Sequence, residues 1–457
     1  MSHPQAFFSS ESLLAELHRL PQPLKYWVGF SGGADSTALL QALHERQADL
    51  TAPLEALHFH HGLQGEGDAW LEHCRRFCAQ RGIAFSSKRL EIHAARGVSP
   101  EEEARDRRYE AVAKVLGEHE MYLTAHHADD QAETLFLNLM RGSGIDGLAG
   151  IPTLRALDAG WVARPLLGVY RRELLGYLES RGVDWVTDPS NRDVRFDRNF
   201  LRQEIFPLLE SRWPGIAARL ARTARNARIS ARAVEAFVDQ QAGHLLADSE
   251  RLPLPPLRSL SPDMRSLVLR QWLRRHELRA LPENRLNEFL EQACAETPAS
   301  QAEVTWSGWM IKRYRQNLWL QRSKALPACP TRPWSAGTSL ELGDELGELR
   351  LEGGDIDLPG SWSVRARSPA DRLQLHQDRP RRPAKDLFQS SGVPPWLRSC
   401  VPILCWDGEP SALGDWLISA KLHAWLTENR QTLRWQPSNP LLARLRQDAH
   451  EAVHGPS

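Results

Sequence analysis

Short apolar or aromatic runs at residues 26–30, 54–60, 85–92 and 121–125 alternate with longer stretches of helical pattern at 37–46, 69–81, 100–116 and 128–140. Runs of this length between turn residues predict buried strands, and the intervening stretches predict helices. Repeated βα alternation predicts a doubly wound parallel sheet whose ligand site lies at the carboxyl ends of its strands. Residues 215–325 read as largely helical and arginine-rich, interrupted by Leu252-Pro-Leu-Pro-Pro, and the Pro-rich stretch 326–333 reads as a linker. Beyond it, segments such as 347–352 and 362–367 alternate like short strands. The last twenty or so residues mix Pro, Gly, Ser and charge, and read as disordered. The expected fold class is α/β, followed by a helical domain and a small α+β domain. The corresponding boundaries are 1–214, 215–325, 335–435 and a tail over 436–457.

Composition narrows the class. A chain of 457 residues has room for several domains. Hydrophobic content of 42% and charged content of 25% are those of a soluble globular protein. The 57 basic and 57 acidic residues cancel, so any nucleic-acid surface must be a local patch. No run approaches a membrane span, and the N-terminal residues lack the basic head and apolar core of a signal peptide. Six cysteines without Cys-x-x-Cys spacing do not form a disulfide framework, so a cytoplasmic setting is expected.

The strand at 26–30 runs into Ser31-Gly32-Gly33-Ala34-Asp35-Ser36 and then a helix. Such a turn aims backbone N–H groups and a helix N-terminus at one spot, which suits phosphate oxygens. The glycines admit close approach of an anion, Ser31 and Ser36 add hydroxyls, and Asp35 makes sense through a bridging Mg²⁺. The Walker pattern is absent.

Three further clusters fall near strand ends. His58, His60 and His61 could bind metal, but no local carboxylate or Cys completes a site, so they are expected to face a nucleotide. Residues 124–134 place Asp129 and Asp130 at a helix start, with Asp130 and Glu133 on one face that suits a cationic amine or a second metal ion. Arg105 and Arg108 share a helical face, which is either solvated or able to clamp a phosphate or a base.

Together SGGADS (31–36), HFHHGL (58–63), EEEARDRRY (101–109) and TAHHADDQAETLFLNLMRGSG (124–144) resemble the tRNA(Ile) lysidine synthetases, within the PP-loop ATP pyrophosphatases (adenine-nucleotide α-hydrolase-like). The resemblance continues through Arg164-Pro-Leu-Leu, Asp188-Pro-Ser-Asn191, Arg198-Asn-Phe-Leu-Arg202, 364–372, 385–388 and 393–398. It implies adenylation by ATP of the wobble cytidine in a CAU-anticodon tRNA(Ile), then displacement of AMP by the ε-amine of free L-lysine. It also implies an ATP contact over Ser31, Gly32, Gly33, Ala34, Asp35 and Ser36 with His58, His60 and His61, and Mg²⁺ on Asp35. Asp130 and Glu133 become the lysine contacts. Arg105 or Arg108, and Arg198 or Arg202, become candidates to hold phosphate and cytosine. One departure is Ala370-Asp371, where the family commonly has Gly-Asp.

Arg219, Arg222, Arg225 and Arg228 cover one broad helical face with few acids to pair, and are expected to contact tRNA backbone. Arg372, Lys385 and Arg398 belong to a second expected RNA surface. No membrane partner is expected, and a homodimer is left open. A PP-loop thiolase is the nearest rival but needs paired cysteines, and Cys74 and Cys78 match poorly. A non-catalytic RNA scaffold is the other rival, and the intact loop argues against it.

Overall fold

The run Lys-Tyr-Trp-Val-Gly forms the first strand at the centre of a six-stranded sheet, in the order β3-β2-β1-β4-β6-β5. The strands are β1 (Lys25–Gly29), β2 (Leu54–His60), β3 (Ala84–Arg89), β4 (Glu120–Leu123), β5 (Leu154–Leu157) and β6 (Gly160–Ala163). The first four and β6 run parallel, and β5 closes the edge as an antiparallel hairpin with β6. That hairpin escapes the βα reading. The order reverses at β1, which pairs β2 on one side and β4 on the other, so the crevice of a doubly wound sheet opens there.

The helices are α1 (Ser10–Leu17), α2 (Ala34–Glu45), α3 (Gly67–Gln80), α4 (Pro100–Ala113), α5 (Ala128–Met140), α6 (Ile145–Leu148), α7 (Arg171–Glu179), α8 (Asp197–Phe200), α9 (Phe206–Arg212) and α10 (Ile216–Ala242). Period-two alternation covers both sheet faces. Tyr26, Val28, Met121 and Leu123 pack with α1, α2, α3 and α7, while Trp27, Tyr122 and Phe59 pack with Val112 and Leu116. The computed structural model describes residues 8–60, 67–90, 100–187, 193–248, 250–276, 278, 280–295, 302–334, 339–353 and 357–455, with the backbone alone for 100–104. His61, the segment 188–191 and the side chains of Glu101, Glu102 and Glu103 lie outside that description.

The chain divides into two compact units, 1–234 and 235–457. The second unit departs from the sequence expectation in three places. The expected helical stretch carries a four-stranded antiparallel sheet of Arg251–Pro253, Asn317–Arg322, Trp309–Tyr314 and Glu303–Trp306. Its hairpins turn at positive-φ residues, Ser307-Gly308 and Arg315, and its apolar residues alternate, so the strand pattern outweighs the neighbouring helices. The Pro-rich stretch 326–333 is not a free linker: Cys329 is buried and its N–H bonds the Ser399 carbonyl at 2.8 Å.

The expected disordered tail is instead a helix, Pro440–His454. Asn439 caps it through the Leu441 N–H, and Leu441, Leu442, Leu445 and Ala449 bury one face. The rest of this unit is antiparallel, with five-, three- and two-stranded sheets and short helices, as an α+β module requires. Among the described residues no helix is long and apolar enough to cross a membrane.

Candidate active site

The loop after β1 is held by its own serines. The Ser31 N–H donates to Ser36 Oγ at 3.2 Å, the two hydroxyls are 3.0 Å apart, and Ser36 Oγ donates to the Gly33 carbonyl at 3.1 Å. Thr37 Oγ1 donates to the Gly32 carbonyl at 3.2 Å. Gly32 has φ +82°, and a Cβ there would lie 3.0 Å from Cys74 Sγ, so glycine satisfies both backbone and space. Gly33 stands at the cap of α2, which leaves the first N–H groups of that helix facing the crevice without a side-chain cap.

A cleft of about 300 Å³ opens above this loop. Leu57 and Phe59 of β2, Tyr122 of β4 and Tyr109 of α4 give it an apolar and aromatic wall. Gly29 lies against Tyr122, where a Cβ would collide with the hydroxyl. Ser31, Gly33, Asp35 and Ser36 form the polar floor, and Thr124, His126, Asp130, Arg108 and Arg198 also line the cleft. A flat aromatic slot joined to a serine- and glycine-lined floor matches a purine joined to phosphates.

The strand-end histidines behave differently from expectation. His58 and His60 alternate with Phe59 and are buried outside the cleft lining. His58 Nδ1 lies 2.8 Å from the Phe30 carbonyl, and burial holds its imidazole below the usual range. His60 Nε2 lies 3.2 Å from Asp68. They brace the strand ends beneath the loop, while the side chains of β2 that reach the cleft are Leu57 and Phe59.

The segment after β4 carries two histidines in different charge states, one neutral and one cationic. Burial, reinforced by Arg164, Arg198 and Arg105 and opposed by Asp130, drops His126 to about 3, so it is neutral and its Nδ1 pairs with Thr124 Oγ1 at 2.8 Å. Burial opposes charge on His127 as well, but hydrogen bonding to Asp129 and Asp35 and the charge of Asp130 lift it to about 10. Its Nε2 is 3.6 Å from Asp35 and 3.5 Å from Asp130, and Nδ1 is 3.5 Å from Asp129. The Asp130 N–H also approaches Nδ1 at 3.4 Å, but a protonated Nδ1 has no lone pair to accept it, so the ion pairs define this residue. Asp35 stays ionised: burial raises it, and His127, Arg171 and Arg202 more than compensate.

Asp130 and Glu133 share a face of α5, as their spacing predicts. Arg202 reaches both. Its Nε–H donates to Glu133 Oε1 at 2.8 Å, and its Nη2 lies 3.0 Å from Oε2 and 3.4 Å from Asp130 Oδ1. Arg198 Nη2 donates to Thr134 Oγ1 at 3.1 Å. Arg108 lines the cleft, whereas Arg105 does not and lies with its guanidinium 5.9 Å from the Tyr109 ring.

Sequence reasoning gave no site role to Tyr109, Tyr122, Phe59, Arg164 or Arg171, and read His127 only as part of the acid- and histidine-rich cluster at 124–134. The signal for the aromatics was their strand alternation and the Arg-Tyr step of α4. Arg164 is buried and donates to Tyr109 Oη at 3.0 Å and to the Pro152 carbonyl at 2.9 Å, which fixes the ring at the cleft. Arg171 Nε lies 3.5 Å from Asp35.

Of the residues expected to meet RNA, Arg219, Arg222 and Arg225 are exposed along α10. Arg228 is not free in the same way: its guanidinium donates to the carbonyls of Ala149 (2.7 Å) and Ile151, pinning α10 to the loop after α6. In the second unit Arg372 and Lys385 are exposed, but Arg398 is buried and donates to the Val393 carbonyl at 3.1 Å, an internal brace rather than a surface contact. Asp371, in the departing Ala370-Asp371 turn, is held by a two-pronged Arg365 pair at 2.9 and 2.6 Å. Cys74 and Cys78 are fully buried, and burial pushes both thiols up to about 12, so neither is a reactive thiolate.

Comparison with known proteins matches the PP-loop domain over residues 9–209, the TilS substrate binding domain over 252–319 and the TilS substrate C-terminal domain over 362–435. A tRNA(Ile)-lysidine synthase from Xylella fastidiosa is 40% identical over 433 residues, covering 92% of this chain and 97% of its own. One from Methylococcus capsulatus is 38% identical over 410 residues, covering 86% and 92%, and one from Pseudomonas syringae is 39% identical over 404 residues, covering 85% and 88%. Among solved structures, the U34-tRNA thiolase NcsA from Methanococcus maripaludis with its [4Fe-4S] cluster overlaps 48% of this chain and 77% of its own at 19% identity and a TM-score of 0.41. With domain matches in sequence order and relatives aligned over most of their length, the chain belongs to the tRNA(Ile)-lysidine synthase family.

Proposed function

We propose that the protein ligates free L-lysine to C2 of the wobble cytidine in a CAU-anticodon tRNA(Ile), through an adenylated tRNA, releasing AMP and pyrophosphate. The observation that carries this reading is one cleft with a phosphate-suited loop, an aromatic slot and, at its edge, a carboxylate pair on one helical face. The family relatives, named tRNA(Ile)-lysidine synthases, support the substrate.

In the first step the cytidine C2 oxygen attacks the α-phosphorus of ATP, and pyrophosphate leaves. Adenine fits against Phe59, Tyr109 and Tyr122. The N–H groups at the start of α2 and the hydroxyls of Ser31 and Ser36 hold the departing phosphates where negative charge grows. Among the described residues Asp35 Oδ1 is buried without a hydrogen-bond partner, and Mg²⁺ usually takes one or two carboxylates with the remainder from phosphates and water, so this acid fits the ion. When bound there it would neutralise phosphate charge. Arg108 and Arg198, at the cleft, are placed for a phosphate or for the cytosine, which must leave its stack for C2 to be reached. In the second step the ε-amine attacks C2 and AMP departs with the former carbonyl oxygen. Asp130 and Glu133 orient the amine.

Labelled lysine offered with ATP, Mg²⁺ and a CAU tRNA(Ile) transcript tests this. Stoichiometric label and AMP, both lost in Asp35→Ala, are expected. AMP release without label would mean a nucleophile other than lysine, and no AMP from folded protein would leave an RNA-binding scaffold.

A further inference from the structure

The subsite assigned above to the lysine ammonium already holds a cation. Glu133 is buried, and both its oxygens accept from one edge of the Arg202 guanidinium, which also reaches Asp130. Its Nη2 lies between Glu133 Oε2 and Asp130 Oδ1, the place an ammonium bound to both carboxylates would take, so the two cations cannot occupy it together.

We infer that Arg202 is a movable placeholder for the lysine ammonium, which keeps lysine out of the site until a phosphate-bearing substrate draws the arginine away. The inference rests on the lysine reading of Asp130 and Glu133. Three features support movement. The Arg202 side chain is 33% exposed, so it has a path out of the pair. Its charge is felt at Asp35, which places the phosphate-suited loop within its electrostatic range. Its backbone lies in a π-helical turn, Leu201–Ile205, between α8 and α9. Such a turn holds one extra residue, and resolving it into α-helix rotates the attached side chains by about 100°.

The exchange has a chemical use. Glu133 and Asp130 are paired with a cation both before and after the exchange, because the arginine leaves only as an anionic group arrives and the ammonium then takes its place. An amine admitted before C2 is adenylated would meet an unactivated carbonyl carbon. Lysine binding is thus ordered behind nucleotide and tRNA by competition for one carboxylate pair.

Calorimetric titration of L-lysine tests the inference on three samples: wild type alone, wild type with α,β-methylene-ATP, Mg²⁺ and the tRNA transcript, and Arg202→Ala alone. The loaded wild type is expected to bind lysine at least tenfold more tightly than the free protein. Arg202→Ala, with no ligand added, is expected to match the loaded wild type, and millimolar methylguanidinium should compete with lysine in that variant. Arg202→Met keeps the aliphatic bulk and carries the test if the alanine variant loses its cooperative thermal transition. Equal affinity of free and loaded wild type would overturn the placeholder, as would a variant that still needs nucleotide and tRNA. Absence of lysine binding in every sample, with AMP release but no label on tRNA, would instead remove the lysine reading itself.

Discussion

Gly29 shows how one missing side chain shapes the cleft. It lines the cavity beside β4, where a methyl group would strike the Tyr122 hydroxyl. Tyr122 is fully buried, so it cannot swing into solvent, and overpacking of this kind costs about 1–3 kcal/mol. Gly29→Ala should therefore push the ring into the slot assigned to adenine. We expect the KM for ATP to rise roughly tenfold to a hundredfold by that cost, with the KM for tRNA unchanged, read from steady-state AMP release. The residues at 31–36 are legible in sequence because their chemistry is local: glycine conformation, hydroxyl spacing and a helix start. Phe59 is harder to see, because imidazoles on either side of it attract the chemical reading while the strand period turns them away. Arg202 is recognisable as basic, but nothing in the sequence pairs it with Glu133, 69 residues away.

At the scale of elements, the C-terminal helix Pro440–His454 depends on a charge buried under it. The Asp415 carboxylate has no exposed surface; it accepts from Arg446 Nε at 2.8 Å and Nη2 at 2.6 Å, from the Trp435 N–H at 3.2 Å, and faces His450 Nε2 at 3.2 Å. Burial raises this acid, but His450 and Arg446 hold it below the usual carboxylate range. A depressed folded pKa stabilises above the unfolded value, about 3.9, and that contribution is lost as pH falls through the folded value. Asp415→Asn should cost about 1–3 kcal/mol at neutral pH, since it removes the buried charge from the half-buried Arg446 and leaves its donors and the Trp435 N–H with a weaker acceptor. The gap from wild type should narrow below about pH 4; thermal unfolding across an acid series reads it, and a gap constant down to pH 2 would deny the ion pair that role. The sequence hid this helix for a physical reason. Tail composition suggests disorder, but the burial that orders Leu441, Leu442 and Leu445 is supplied by residues far earlier in the chain. Strands β1, β2 and β4 and helices α2 and α5, by contrast, are legible because each carries its own period and its own turn residues.

Over the whole molecule the formal charge is zero, so attraction for an RNA backbone must come from particular surfaces. The first unit offers one on α10, where Arg219, Arg222 and Arg225 are exposed, while Arg228 is occupied by backbone carbonyls. Arg219 is partly engaged as well, since its Nη2 donates to the Pro214 carbonyl at 3.2 Å. Arg222 and Arg225 are therefore the sharper pair to remove, and neither lines the cleft. Each phosphate contact that is lost abolishes one counterion release, lowering the dependence of log KM on log salt by about 0.7–0.9. Arg222→Ala with Arg225→Ala should raise the KM for tRNA and flatten its salt dependence by up to twice that slope, with the KM for ATP unmoved. The measurement is AMP release against tRNA concentration at several KCl concentrations. A slope equal to that of wild type would make this face a solubilising one and shift the search for RNA contacts to Arg372 and Lys385 in the second unit, which are exposed on a separate module.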